Sequence, residues 1–347
     1  MTKTQQWAEA RGTAEPKPQP PKPGSPGLRP GPTGPHATSP QEPVAQGTTA
    51  LATGAILLAV TFWGLSYMST KVALREVPPT TIGVLRFAIS TAILWLMTRW
   101  TEPASRLRRA DLPRIILGGL LSVTIYFYFQ NAGIQLTSAS SASLIVALIP
   151  IVTIILDVLV FRTRLSALRV LGVVAAIIGS YLVITSNGRI DLTSTDFRGN
   201  LFLVAAVLAW SGYTLLMKAF SGAYSSLFLT AQQNLWGTVF LIPLAFFERH
   251  EWRAISMPTF GHLLFLGIFC GAVAYLCYNV ALARLDVAAT TLYLNLVPVI
   301  GVLSGYLILR EAVGPAQLFG GAIIIVGILM VSWTGAARAG RQKRAVG

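Results

Sequence analysis

NAGIQLTSASSASLIVALIPIV, Asn131–Val152, and NVALARLDVAATTLYLNLVPVI, Asn279–Ile300, are two copies of one pattern set 148 residues apart. The same shift, without a gap, lays Gly119–Val183 onto Gly267–Val331. It puts Asn131 on Asn279, Pro150 on Pro298, Arg162 on Arg310, Gly172 on Gly320 and Gly179 on Gly327. These residue types punctuate helices. Upstream, a shift of 147 aligns WGLSYMSTK, Trp63–Lys71, with WSGYTLLMK, Trp210–Lys218, and sets Arg86 on Gln233. The chain carries an internal duplication.

Composition decides the medium in which the duplicated unit lives. Hydrophobic residues make up 53% of the 347 and charged residues only 12%, and mean hydropathy is +0.62. A soluble domain carries about 25% charged residues. Runs such as Ile115–Phe129 and Leu318–Trp333 have almost no charge to place on a solvated face, so the chain reads as an all-α membrane protein. Its two cysteines, Cys270 and Cys277, lie seven apart in one apolar run, which excludes a disulfide framework. No cofactor and no metal site follow from any motif.

Residues 1–50 are a different material. Eleven of the twenty prolines fall there among Gly, Gln, Ser and Lys, and the segment has too little apolar surface to offset the entropy of ordering. It reads as a disordered cytoplasmic tail, and it lacks the apolar core of a secretory signal. From Leu51 onward ten apolar segments, each near the roughly 20 residues that cross a bilayer, divide into a first five-helix repeat at 51–186 and a second at 198–334, followed by a basic tail at 335–347. Placing the amino terminus in the cytoplasm puts nineteen Lys and Arg inside against seven outside, with Arg86 within a span. The positive-inside rule selects that topology, with both termini cytoplasmic in the plasma membrane, here a bacterial inner membrane. The net charge of +14 has its explanation in these loops and tails, and no nucleic acid is expected as a partner.

An odd number of spans per repeat means that the second copy enters the membrane from the opposite side. Two inverted five-helix repeats are the architecture of secondary transporters, because exchanging the copies' conformations interconverts inward-open and outward-open states of similar energy. The runs WGLSYMSTKVALREVPPTTIGVLRFAIS, NAGIQLTSASSASLIVALIPIV and NVALARLDVAATTLYLNLVPVIGVLSGYLILREAVGPAQLFGGAIIIVGILMV resemble the EamA family of the drug/metabolite transporter superfamily in its ten-helix, two-repeat form. The likeness spans Leu51–Trp333. One departure is visible: the acidic residue usual after the fourth helix is Glu311 in the second repeat, but Thr163 stands in the first. The resemblance implies a substrate cavity between the repeats, lined mainly by their first, third and fourth helices.

The residues point to the same place. Trp63, Tyr67 and Lys71 share one helix face, and Trp210, Tyr213 and Met217 share one on the repeat mate. Tyr126 and Gln130 stack one turn apart on the third helix, beside Asn131, as Tyr275 does with Tyr278 and Asn279. Polar side chains at membrane depth are costly toward lipid and belong on the interior or a wet cavity. A Gln or Asn also serves simply to bridge helices, and Trp95, Trp100 and Trp252 belong to interfacial belts. Pro150 and Pro298, inside the fourth helices, each free a carbonyl, with Asn295 three residues before the second. Gly172 with Gly179, and Gly320 with Gly327, suit close helix approach.

Gating or ion pairing falls to Lys71, Arg86, Asp157, Lys218, Gln233 and Glu311. Asp157 is the only carboxylate well inside a span, either a proton relay or a helix-end acid reaching Arg162 or Arg164. Arg86 lies roughly five residues, about 8 Å, from the external end of its helix. Either it pairs structurally with a group such as Glu76 or Glu311 or with exposed helix-end carbonyls, or it guards the external mouth of the cavity or touches an anionic substrate group, with Gln233 as its neutral counterpart inside. A membrane enzyme would need a reactive constellation that His36, His250 and His262 do not form, and a channel would need charged rings or filter loops. The expectation is a carrier exporting a small-molecule substrate, an amino acid or drug-like amphiphile. Its partners are that substrate and the lipid bilayer, and a monomer satisfies the design.

Overall fold

The computed structural model describes residues 46–162, 165–185, 194–217, 224–282, 284–285, 290 and 293–346, the described side chains being those of 50–331. The Pro-rich tail lies outside these residues up to 45, as do Thr163, Arg164 and Lys218. Helix begins at Gln46, a few residues before the expected Leu51, and the last helix continues to Val346 beyond the expected end of the span. Among the described residues there is no strand.

In chain order the helices are α1 (Gln46–Ala73), α2 (Pro79–Thr101), α3 (Arg109–Leu136), α4 (Ala139–Val146), α5 (Ile149–Phe161) and α6 (Ala167–Ile184). There follow α7 (Thr195–Met217), α8 (Ser226–Phe247), α9 (Met257–Leu282), α10 (Leu296–Leu307) and α11 (Pro315–Val346). Among the described residues seven helical stretches are long and apolar enough to cross a bilayer, α4 and α5 counting together as one. The 22-residue α8, interrupted by Gln232, Gln233 and Asn234, falls outside that set, and Leu296–Leu307 and Pro315–Val331 are shorter apolar helices.

Burial is arranged for lipid. Ser90 and Ser211 are fully buried and Asn131, Asn234 and Gln233 nearly so, whereas Leu171, Ile177, Phe240, Leu307 and Phe319 are exposed. Large apolar side chains outside and polar ones inside suit a hydrocarbon solvent, and the chain is a multi-pass membrane protein.

The contacts between repeat mates are reciprocal. A Cβ added to Gly179 would lie 2.6 Å from the Gly320 carbonyl, and one on Gly320 would lie 2.6 Å from that of Gly179. Gly172 and Gly327 oppose each other in the same way, at 2.7 and 2.6 Å. Since 172 pairs with 327 and 179 with 320, α6 and α11 run antiparallel, close enough that only glycine fits. The pair α2 and α8 is clamped at both ends. Glu248, just after α8, accepts from the Thr80 and Thr81 amides at the start of α2, at 3.0 and 2.9 Å. Glu102, just after α2, accepts from the hydroxyl of Ser225, which caps α8, at 2.6 Å.

The fourth helices are broken rather than bent. Their prolines were expected inside continuous helices, but α4 ends at Val146 and α5 begins at Ile149 with Pro150 in its first turn. In the second repeat the chain turns at Asn295 and α10 begins at Leu296, with Pro298 in its first turn. Proline is at home there because the first-turn amides have no intrahelical partner to lose. Arg162 and Arg310, which occupy equivalent places in the two copies, follow these helices in the left-handed region with φ 52° and 56°. Arg162 caps α5 as a C-cap glycine ordinarily would, and Arg310 lies three residues past Leu307, the end of α10.

Candidate substrate cavity

α1 turns Trp63, Ser66 and Tyr67 inward, and α7 turns Trp210 and Tyr213. α3 supplies Tyr126, Phe127 and Gln130, and α9 supplies Cys270, Tyr275 and Tyr278. The broken helices bring the first turns of α5 and α10, with Pro150 and Pro298, to the same space, and α2 and α8 add Arg86 and Gln233. Together these enclose a cavity of about 380 Å³. Both third helices carry a π segment along it, Leu120–Ile125 in α3 and Phe265–Val273 in α9. Such segments locally widen a helix and concentrate at functional sites.

The aromatic rings form two groups. Trp63 lies with its ring centre 5.5 Å from that of Tyr275 and 5.6 Å from that of Tyr278, and its indole N–H donates to the Cys270 carbonyl at 3.1 Å. Trp210 lies 4.8 Å from Tyr126 and 5.2 Å from Tyr213. The Tyr213 hydroxyl donates to Gln233 Oε1 at 2.9 Å, and Gln233 Nε2 donates to Met217 Sδ at 2.9 Å. Gln233 is therefore occupied on both sides of its amide.

Its repeat mate is not. Arg86 is 7% exposed, and its guanidinium carbon lies 4.7 Å from the Phe127 ring centre and 5.5 Å from that of Phe87. Among the described residues it makes no hydrogen bond and no ion pair, and its Nε is buried without a partner. It stands seven residues after Pro79, about 10 Å along α2 at 1.5 Å per residue, and so deeper than expected. Neither acid offered as its partner is available. Glu76 accepts from the Ser256 amide and hydroxyl at 2.8 and 2.7 Å, and Glu311 accepts from the Ala139 and Ser140 amides at the start of α4, at 2.7 and 3.0 Å.

Other expected residues lie elsewhere. Asn131 is 1% exposed and donates to the Pro79 carbonyl at 2.9 Å, bridging α3 to α2, and Asn279 is half-buried outside the lining. Lys71 Nζ donates to the carbonyls of Ile134, Gln135 and Thr137 at the end of α3, where a cation complements the helix dipole. Asp157 is half-exposed on α5 and does not line the cavity. Lys218 lies outside the described residues. Asn295 lines the cavity beside the break. Phe127 and Ser122 were not anticipated, although the duplication marks them as the mates of Tyr275 and Cys270.

A model of the EamA-like transporter family matches residues 51–185 and again 197–333. The chain belongs to the EamA-like transporter family. An uncharacterized transporter of Archaeoglobus fulgidus is 27% identical over 278 residues, which cover 80% of this chain and 96% of that one. A protein of Streptantibioticus cattleyicolor named "Probable terminal-alkyne amino-acid exporter" is 25% identical over 80% of this chain and 92% of its own. A solved crystal structure, 19% identical, matches with a TM-score of 0.58 over 82% of this chain and 98% of that one, and shares the fold. This EamA-like chain is a membrane transporter.

Proposed function

We propose that the protein is a ten-span secondary carrier whose two inverted repeats, 51–186 and 198–334, enclose the aromatic cavity and move a small organic metabolite out of the cell by alternating access. The observation that carries this reading is the cavity itself, bounded by both broken fourth helices and by first, third and fourth helices of both repeats. Midplane sites built from discontinuous helices are the arrangement that secondary transporters use. The reciprocal glycine and carboxylate contacts support inversion, because antiparallel repeat mates are what a twofold axis in the membrane plane produces. Export, and cargo of amino-acid size, draw on the Streptantibioticus relative. The binding side chains in this reading are those on the cavity, led by Trp63, Tyr126, Trp210 and Tyr275, while Lys71 and Glu311 act at the helix ends that close one mouth.

The test compares extracellular metabolites of cells lacking and overproducing the protein, followed by exchange of the enriched compound in proteoliposomes. Saturable exchange that is lost in Trp63→Ala, Tyr126→Ala or Tyr275→Ala but kept in Trp95→Ala and Trp100→Ala, at equal membrane levels, supports the carrier. Ohmic ion current without saturation would make it a channel. Equal effects of belt and cavity variants would remove the cavity from the mechanism.

A further inference from the structure

A buried guanidinium with five N–H donors and no acceptor is a costly object in a membrane interior. The faces of Phe127 and Phe87 attract its charge but accept none of its hydrogen bonds. Arg86 is also the only charged residue among the described residues lining the cavity. The first turns of the 13-residue α5 and the 12-residue α10 both line the same space, and the last turn of α4 lines it too through Ser143, Val146 and Ala147, so at the first break the opposite ends of two helix dipoles offset each other and Arg86 remains the full charge on the cavity. Asn295 adds a second partnerless donor, its Nδ2. Against these, the orphaned acceptor on the lining is the neutral Gln130 Oε1. No carboxylate stands among the described lining residues to hold an ammonium group.

We infer that the cavity selects a small organic monoanion, with its carboxylate on Arg86 and its apolar body against the Trp63, Tyr275 and Phe127 rings. This rests on the cavity's being the substrate site, as proposed above. A zwitterion would leave its ammonium in a cavity that holds a guanidinium and, among the described lining residues, no carboxylate, and an amine would bring a second cation with no anion to meet either. The duplication explains how the selectivity arises. Gln233, the mate of Arg86, is closed off by Tyr213 and Met217, so one copy supplies structure and the other is left with an unsatisfied cation.

Binding to the purified full chain in detergent, by titration calorimetry with phenylacetate, phenylacetamide, phenylalanine and phenethylamine, separates the charge states on one apolar body. Phenylacetate should bind tightest, by about tenfold or more, the worth of a charge-assisted pair. Arg86→Gln should lose that margin while keeping phenylacetamide, and Arg86→Lys should restore part of it. Thermal unfolding of each variant identifies any that fails to fold, and the wild-type ranking of the four probes then decides alone. Phenylalanine or phenethylamine binding as tightly as phenylacetate, phenylacetate failing to bind the folded wild type, or an unchanged margin in folded Arg86→Gln would overturn the inference. Arg86-dependent phenylacetate binding without exchange in proteoliposomes would sink the carrier reading and leave the anion site standing.

Discussion

Glu311 serves three donors at once, the amides of Ala139 and Ser140 and the Ser140 hydroxyl at 2.6 Å, and so ties the end of α10 to the start of α4. Negative charge at a helix amino terminus also complements the dipole. Glu311→Gln keeps the shape but loses charge and one acceptor, and it should cost about 1–2 kcal/mol. The check is thermal unfolding in detergent, with the exposed Glu251→Gln as a control that changes little. Glu76 makes the analogous contact to Ser256 at an exposed site. The Ser256 amide, then its hydroxyl, hold the Glu76 carboxyl below its ordinary value of 4.5. Because the folded value is the lower one, the stabilisation is complete above the unfolded value and is lost as pH falls through the folded value. The gap in unfolding temperature between wild type and Glu76→Gln should be present near about pH 7 and close below about pH 4. A gap that widens in acid would reverse the assignment.

Elements meet here by two devices, missing side chains and missing turns. Between α6 and α11 the backbones approach until a single Cβ at Gly179 would sit 2.6 Å from a carbonyl oxygen. Gly179→Ala should therefore destabilise by about 1–3 kcal/mol, since two long helices must shift to admit it. Gly54 on α1 has nothing within 4 Å of such an atom, so Gly54→Ala should be neutral or gain about 0.5–1 kcal/mol from reduced backbone entropy. Unfolding midpoints of the two variants measured side by side test the contrast, and equal effects would mean that the glycine crossing does not hold the helices. The missing turns have a different consequence. Breaking the fourth helices at Ala147–Leu148 and at Asn295 exposes amino termini at the cavity, which a continuous helix would have buried in its own hydrogen bonds.

At the scale of the molecule the contacts sort the helix ends into two faces. Glu248–Thr80, Glu76–Ser256 and Glu311–Ala139 lie at one, and Glu102–Ser225 and Tyr224–Asp111 at the other. The Lys and Arg count predicts that the Glu102 face is the cytoplasmic one. In a background with Cys270 and Cys277 replaced by Ala, an impermeant maleimide should label Arg253→Cys in intact cells and should spare Ser105→Cys, both sites being exposed. The opposite pattern would turn the whole chain over.

Membrane class, duplication and family were determined by the sequence alone, because they rest on properties that survive any folding detail. Apolar runs of bilayer length allow one solvent, and a gapless 148-residue register with matched Pro, Gly and Arg allows one repeat. Helical spacing also placed Trp63 with Tyr67, Tyr126 with Gln130 and Tyr275 with Tyr278, and the structure sets all six on one cavity. Spacing failed for Asn131 and Asn279, each one residue past a lining side chain, Gln130 and Tyr278, and so about 100° further round the helix. The breaks at the prolines, the capping duties of Glu76 and Glu311, and the isolation of Arg86 were decided by tertiary structure only. A sequence states which groups carry charge or lack an amide. Which of them find partners depends on how the helices are brought together: Gln233 on α8 is satisfied by Tyr213 and Met217 of α7, whereas Arg86 on α2 meets only the rings of Phe87 and Phe127.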